Sequence, residues 1–175
     1  MTSYIALLRG VNVGGNRKLP MAELKASLTQ LGYVNVRTLL ASGNIVFDAP
    51  KTAAAKLEAK MEADLKSAAG VTTDVIIRDP KEWAAILAAN PFPKDAETRP
   101  NRLLVMVMKT KADKTAAQAY LASYTGEEKI EFVGRDVFIV FTDGMADSRL
   151  ALQKFGVGTA RNWNTMQKLD AMVAA

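Results

Sequence analysis

Apolar and polar positions alternate along the first 78 residues in a pattern that predicts six elements. Short apolar or β-branched runs predict four strands, and apolar residues three or four positions apart predict two helices. The predicted strands cover 4–9, 34–40, 45–47 and 73–78, and the predicted helices cover 20–31 and 52–69. The order β-α-β-β-α-β predicts a ferredoxin-like subdomain, in which two helices lie on one face of a four-stranded antiparallel sheet.

The second half of the chain predicts a similar order of elements after a helical and proline-rich connection. Asp79-Pro80-Lys81-Glu82 is a capping-box start for a helix, and the polar, proline-rich stretch up to Arg102 indicates a linker. Strands are predicted at 103–108, 130–133 and 137–141, and helices at 111–122, at about 147–155 and from Thr159 onward. We therefore predict an α+β chain of two tandem ferredoxin-like subdomains, 1–78 and 102–175, joined by 79–101, with the last helix packing back on one of them.

Composition narrows the chemistry that this chain can perform. It has 175 residues, of which 49% are hydrophobic and 23% charged, as in ordinary globular proteins, and it contains neither His nor Cys. Disulfides, thiolate and imidazole metal sites, Cys nucleophiles and Ser-His-Asp triads are thereby excluded. We expect no metal and no cofactor. No signal peptide and no apolar run of membrane-spanning length is evident, so we expect a cytoplasmic protein without a membrane partner.

Positive charge is concentrated at the two ends of the chain. The formal net charge is +5, and it divides into +4 for residues 1–47, −2 for the middle and +3 for residues 149–175. If the fold brings these ends together, the basic surface suits an anionic partner. A surface that merely keeps the protein soluble is the alternative.

The first candidate site is the glycine-rich stretch from Arg9 to Lys18. It joins a predicted strand to a predicted helix, a place where backbone N–H groups can bind an anion while basic side chains add charge. The candidate ligand-binding residues are Arg9, Asn12, Asn16 and Arg17. The stretch fits neither the Walker A pattern nor G-x-G-x-x-G. The alternative is a flexible connection whose glycines supply positive φ angles.

The second candidate lies in Ala41-Ser42-Gly43-Asn44. A serine nucleophile would need a general base, and the chain has no histidine to supply one. The cluster favours a hairpin turn, in which Gly and Asn tolerate left-handed backbone. If the turn has a functional role, Ser42 and Asn44 are hydrogen-bond donors to a ligand.

The third candidate is the stretch from Gly156 to Thr165. Thr159 is predicted to cap the final helix, whose N-terminus favours an anion. Helical spacing would turn Trp163 and Met166 inward and Arg161, Asn164, Thr165 and Lys168 outward. We therefore expect Arg161, Asn162 and Asn164 to bind the ligand, and the Asn residues are also candidates for capping.

A fourth cluster, Asp143 to Ser148, has two explanations. Asp143 and Asp147 are carboxylates that could bind Mg²⁺ beside a phosphate. The favoured explanation is a loop in which Asp147 or Ser148 caps the following predicted helix.

Four motifs follow one another along the chain: Leu8 to Gly15, Pro20 to Leu24, Ser42 to Phe47 and Thr159 to Thr165. Together they resemble a known bacterial family, the domain of unknown function 1697 family, and the resemblance extends over essentially the whole chain. It implies two ferredoxin-like subdomains in tandem. It implies no catalytic residue, since no function is established for the family.

These observations favour a binding module whose candidate residues share one basic, Asn-rich patch for a phosphate-bearing ligand, with nucleic acid as one candidate. In particular, Asn12, Asn44 and Arg161 are predicted to lie close together. The low aromatic content, 7%, and the lack of an RNA-binding aromatic motif weigh against nucleic acid. One alternative is an enzyme for a phosphorylated small molecule, with Glu23 or Asp143 as base or metal ligand. Another is an assembly protein whose exposed sheets pair between chains.

Overall fold

The structure is a computed structural model that describes residues 1–12 and 18–174. In that part the chain is α+β, with two four-stranded antiparallel sheets and six α-helices. The chain divides into two compact units, residues 1–85 with 169–175, and residues 86–168. None of the described helices is long and apolar enough to cross a membrane.

The first unit contains the sheet with strand order β2-β3-β1-β4, in which every neighbouring pair is antiparallel. Its helices and strands begin and end close to the predicted positions, and Gly70 ends α2 in the left-handed conformation that suits glycine. The elements are β1 (Thr2–Leu8), α1 (Met21–Gln30), β2 (Val34–Leu39), β3 (Asn44–Ala49), α2 (Ala54–Ala69), β4 (Val75–Arg78) and α3 (Pro80–Ala88).

The core of the first unit lies between one face of this sheet and helices α1 and α2. Alternate residues of β1, such as Tyr4 and Leu8, point to this face because successive side chains of a strand alternate. Leu24 of α1 and Met61 of α2 are fully buried against them. The last residues of the chain also contact this unit, because the Arg37 guanidinium of β2 donates to the Met172 carbonyl oxygen at 2.8 Å.

The second unit contains the sheet with strand order β6-β7-β5-β8, again antiparallel throughout. Its core forms on the sheet face that carries Met106, Met108 and Ile139, with Ala117 of α5 and Phe155 packed there. The further elements are α4 (Pro93–Thr98), β5 (Leu103–Met108), α5 (Lys114–Leu121), β6 (Lys129–Val133), β7 (Asp136–Val140), β8 (Gly158–Asn162) and α6 (Trp163–Ala174), with short 3-10 turns at Pro100–Arg102 and Leu152–Phe155.

The segment predicted as a proline-rich linker contains helical structure. Pro93 occupies the first turn of α4, where its missing N–H costs nothing, and Asp95 accepts from Arg99 Nε at 2.6 Å one helical turn later. The boundary between the two units, at residues 85 and 86, falls within the predicted 79–101 connection.

The helix predicted at about 147–155 is wrong. Only Leu152–Phe155 forms a 3-10 turn, and the backbone before it is held by side chains instead of by helical hydrogen bonds. The Leu150 N–H donates to Ser148 Oγ at 3.2 Å, and the Ala151 N–H donates to Tyr120 Oη at 3.0 Å. Local side-chain hydrogen bonds of this kind compete with helix formation.

The predicted start of the final helix at Thr159 is also wrong, because residues 158–162 form the fourth strand of the second sheet. β8 pairs with β5, so that Met108 lies opposite Gly158 and Val105 opposite Arg161. A Cβ at Gly158 would lie 2.8 Å from the Val107 carbonyl oxygen, so the close approach of β8 to β5 requires glycine. The helix α6 begins only at Trp163.

Candidate functional site

The β1–α1 loop, residues 9–20, leaves the sheet at Arg9. The Arg9 N–H donates to the Asp74 carbonyl oxygen at 3.0 Å, and its guanidinium lies 3.1 Å from the Asp74 carboxylate. Thr73 Oγ1 donates to the Arg9 carbonyl oxygen at 2.7 Å. The start of the loop is therefore held to residues 73–74, which directly precede β4, and Arg9 is a half-exposed, ion-paired cation.

Asn12 closes the base of the β1–α1 loop. Its Nδ2 donates to the carbonyl oxygens of Leu19, at 2.9 Å, and of Ala41, at 2.7 Å, while its Oδ1 accepts from the Leu19 N–H at 2.6 Å. Both amide hydrogens are thus used within the protein. Asn12, predicted as a ligand-binding residue, positions the loop and ties it to the β2–β3 turn.

Ser42 and Asn44 belong to the tight β2–β3 turn. Asn44, fully buried, donates from Nδ2 to the Leu39 carbonyl oxygen and to Ser42 Oγ, both at 2.8 Å. Between them, Gly43 has a φ of +84°, and a Cβ there would lie 2.7 Å from Val11 Cγ2. The Leu8 N–H donates to the Gly43 carbonyl oxygen at 2.9 Å. The hairpin-turn prediction therefore describes the local structure, and Gly43 packs the turn against the start of the β1–α1 loop.

A cleft of about 460 Å³ lies beside the closed loop base, and we call it the β1–α1 cleft. Exposed Lys18 contributes its cation, and the remaining lining is largely apolar. Among the described residues, those that line it are Asn12, Lys18, Leu19, Pro20, Met21 and Ala41. The predicted site residues Asn16 and Arg17 lie outside the described residues.

Arg161 is not the exposed helical donor that its spacing predicts. It lies in β8 and is only 6% exposed, and its Nη1 donates to Thr159 Oγ1 at 2.6 Å and to the Ala160 carbonyl oxygen at 3.0 Å. Burial lowers the pKa of Arg161 to about 10, because the protein interior disfavours the charged guanidinium. Because residues two apart in a strand face the same way, Thr159 is buried with it.

The polar residues around the start of α6 have different roles. Asn162 Oδ1 accepts from the Thr165 N–H at 3.0 Å, which makes Asn162 the N-cap in place of Thr159. Asn164 is exposed on the first turn, whereas Thr165, predicted to face outward, is buried.

The 143–148 cluster lines a second cleft, of about 510 Å³, within the second unit. Ser148 Oγ donates to Glu128 Oε1, and Tyr124 Oη donates to Glu128 Oε2 at 2.8 Å. Burial raises the pKa of Glu128, but these two hydrogen bonds outweigh burial and keep the pKa below its usual value. Ser148 therefore holds Glu128 instead of capping a helix. No group of three or more acidic side chains among the described residues is arranged to hold a metal ion.

The structure brings together Asn12, Ser42 and Asn44, all of which lie around the 39–44 turn of the first unit. Arg161, Asn162 and Asn164 belong to the second unit, and their predicted proximity to Asn12 and Asn44 stays a prediction. Sequence reasoning missed the backbone partners at Leu19 and Ala41, because a carbonyl oxygen leaves no signal in the residue type. It also missed Leu40, which adopts a positive φ without being Gly, Asn or Asp.

Among solved structures, the chain is similar to the conserved bacterial protein SP0830 from Streptococcus pneumoniae. The two are 25% identical, the similarity covers 98% of each chain, and the TM-score is 0.77. No curated protein matches the sequence.

The family comparison covers the first candidate motifs. Residues 1–138, which include the β1–α1 loop and the β2–β3 turn, match the family described as protein of unknown function DUF1697, while the 159–165 motif lies beyond the matched residues. With this match over most of its length, the chain belongs to the DUF1697 family.

Proposed function

We propose that this protein is a binding module that holds a phosphate-bearing ligand on the β1–α1 loop. The observation that carries the proposal is a difference between equivalent connections in the two units. The first sheet and the second each have a central strand followed by a helix, β1 then α1 and β5 then α5. The first connection takes twelve residues, 9–20, whereas the second takes five, 109–113.

The short β5–α5 connection demonstrates that five residues are enough to join a central strand to the following helix in this fold. Asp113 caps α5 directly, since its Oδ1 accepts from the Ala116 N–H at 3.0 Å. The β1–α1 loop is longer, and its additional residues include two glycines, Asn16, Arg17 and Lys18. A longer loop of this composition is typical of binding segments presented by a rigid scaffold.

The base of the loop gives it that scaffold. Asn12 closes the two ends of the 12–19 segment with hydrogen bonds in both directions and anchors them to Ala41. A closed base fixes the positions of Asn12 and Leu19 before a ligand binds, and such preorganisation lowers the free-energy cost of binding. Helix α1 begins after Pro20 without a side-chain cap, so its first N–H groups add favourable dipoles for an anion.

A titration with inorganic phosphate, followed by amide chemical shifts of the full chain at low ionic strength, tests the proposal. We expect saturable shifts for residues 8–21, and we expect Lys18→Gln and Arg17→Gln each to weaken binding severalfold. The matched control is Lys111→Gln, which removes an exposed cation from the short β5–α5 connection and should leave phosphate binding unchanged. Equal losses in all three variants, or no shifts in the loop, would contradict the proposal.

Salt dependence distinguishes nucleic acid from a small ligand. If a single-stranded nucleic acid binds the loop, the logarithm of its affinity should fall with the logarithm of salt concentration by about 0.7 per phosphate neutralised. Binding to an oligonucleotide column that does not change between low and physiological salt would exclude the polyanion and leave the small phosphate-bearing ligand.

The alternative of an assembly protein would require strands of different chains to pair. The structure gives this alternative little support at β4, which lies at the edge of the first sheet. The carboxylates of α2 occupy its backbone donors: Glu58 Oε2 accepts from the Ile77 N–H at 2.9 Å, and Glu62 Oε1 accepts from the Val75 N–H at 3.4 Å. Covering an edge in this way prevents another chain from pairing with it. The enzyme alternative gains no support from Glu23 and Asp143, both of which are exposed.

We also infer that each unit is a ferredoxin-like subdomain. The two sheets have the same strand order, with the second, third, first and fourth strands side by side. The first unit supports the assignment with two helices on one sheet face. The second unit has a 3-10 turn where a second helix is expected, between β7 and β8.

A further inference from the structure

The β1–α1 cleft offers more than a site for phosphate. Its volume, about 460 Å³, lies in the range of small-molecule sites, and its lining is mainly aliphatic. Met21 and Ala41 form apolar wall, whereas Asn12 has already donated both amide hydrogens within the protein. Among the described lining residues, the cation is Lys18.

Leu40 does not line the cleft, but it directly precedes Ala41, which does. It is 53% exposed, and its φ of +58° is one that bulky residues rarely adopt. Asn in place of Leu would suit this backbone better, because its short polar side chain tolerates the left-handed conformation. Leu40 therefore has two properties that the turn itself does not require, which is the pattern expected of a residue kept for contact with a ligand.

We infer that the ligand of this site is an organic phosphate monoester, in which Lys18 pairs with the phosphate while an aromatic or aliphatic body packs on Met21, Ala41 and Leu40. The inference rests on the proposed phosphate-binding function. A cation beside an apolar wall matches a ligand with one charged end and one apolar end, and it does not match bare phosphate, which has no apolar surface to bury.

Comparing phenyl phosphate, inorganic phosphate and phenol in calorimetric titrations of the full chain tests this. We expect phenyl phosphate to bind at least about tenfold more tightly than inorganic phosphate, and phenol to bind more weakly than phenyl phosphate by a similar factor or more. Adding phenyl phosphate should shift the side-chain methyl resonances of Met21 and Leu40, which inorganic phosphate should leave in place.

Two variants test whether apolar side chains in and beside the cleft cause the tighter binding of phenyl phosphate. Leu40→Asn relieves the backbone and should fold normally, and Met21→Ser removes a half-buried side chain beside the cleft. Each should lower the affinity for phenyl phosphate severalfold and leave the affinity for inorganic phosphate unchanged. Val34→Asn is the control, because it removes another exposed aliphatic side chain of the first unit, 49% exposed, at the opposite end of β2 from Leu40 and Ala41.

The outcomes separate this inference from the function on which it rests. Equal affinities for phenyl phosphate and inorganic phosphate would overturn the organic ligand and leave the phosphate-binding function standing. Binding of neither phosphate would overturn both. Phenol binding as tightly as phenyl phosphate would also overturn the inference, because the cleft would then recognise the apolar body alone.

Discussion

The junction between β4 and α3 and the junction between β8 and α6 are built on the same plan. Each strand places a buried arginine opposite the central strand, Arg78 across from Ile5 and Arg161 across from Val105. The preceding residues, Ile77 and Ala160, pack on the sheet face that carries the helical core, so both arginines lie on the opposite face.

The residue after each arginine caps the following helix. Asp79 Oδ1 accepts from the Glu82 N–H at 2.7 Å, and Asn162 Oδ1 accepts from the Thr165 N–H at 3.0 Å. Only the first junction adds the reciprocal hydrogen bond, in which the Asp79 N–H donates to Glu82 Oε2 at 2.9 Å. The difference teaches that Arg161 is better understood from its counterpart Arg78 than from the polar residues that follow it in sequence.

The largest expected effect concerns the residues four positions after each cap, Trp83 and Met166, both fully buried. Trp83→Ala should lower the free energy of unfolding by about 3–5 kcal/mol, and Met166→Ala by about 2–5 kcal/mol, through lost burial and a cavity. Urea denaturation of the two variants measures this. A loss below about 1 kcal/mol at either position would break the equivalence of the junctions.

The buried arginines should come second. Arg78→Ala and Arg161→Ala should each lower the free energy of unfolding by about 1–3 kcal/mol, because the buried Ile77 carbonyl oxygen and the partly buried Ala160 carbonyl oxygen each lose a donor. An exposed Arg161 on a helix would instead cost within about 0.5 kcal/mol. Thermal melts decide between these values.

The loss of the Arg161 charge should also have a defined pH dependence. With a pKa of about 10, Arg161 stays charged at neutral pH in both the folded and the unfolded chain. Above a pH of about 10 the folded chain begins to lose the Arg161 proton while the unfolded chain keeps it. The free energy of unfolding therefore rises with pH through this group only above that pH. The stability difference between the wild type and Arg161→Met should therefore be constant between about pH 6 and pH 9. A slope in that range would contradict the assignment.

Loss of a cap should have a smaller effect. Asp79→Ala and Asn162→Ala should each lower the free energy of unfolding by about 1 kcal/mol, with the larger loss at Asp79 because the reciprocal bond that the backbone N–H of residue 79 donates to Glu82 becomes less well placed. Chemical denaturation of the pair provides the comparison. A larger loss at Asn162 than at Asp79 would show that the reciprocal bond adds nothing.

The smallest expected effect sharpens the difference between the two caps. Asn162→Asp gives α6 the carboxylate that α3 already has, and a negative charge near a helix N-terminus stabilises by about 0.3–1 kcal/mol at low ionic strength. The increase should shrink as salt is added. Asn164→Asp, on the exposed first turn of the same helix, serves as the control for charge without capping geometry.

Much of the first unit could be predicted from the sequence, because its signals are local. The glycine at position 70 ends α2, and the pair Asp79 and Glu82 starts α3, through contacts among residues a few positions apart. The apolar runs of β1 and β5 likewise indicate strands whichever partners they find. For the candidate site, the sequence identified the glycine-rich loop and the β2–β3 turn as polar segments between predicted elements.

Only the tertiary structure decided the roles of Asn12 and Arg161. Asn12 meets Ala41, 29 positions away, and Arg161 lies in a strand that exists because Val105, more than fifty positions earlier, pairs with it. Thr159-Ala160-Arg161 has no strong preference of its own between helix and strand, so long-range pairing with β5 determines the outcome. A residue's neighbours in sequence set local conformation, whereas burial and hydrogen-bond partners depend on chain segments that only folding brings together.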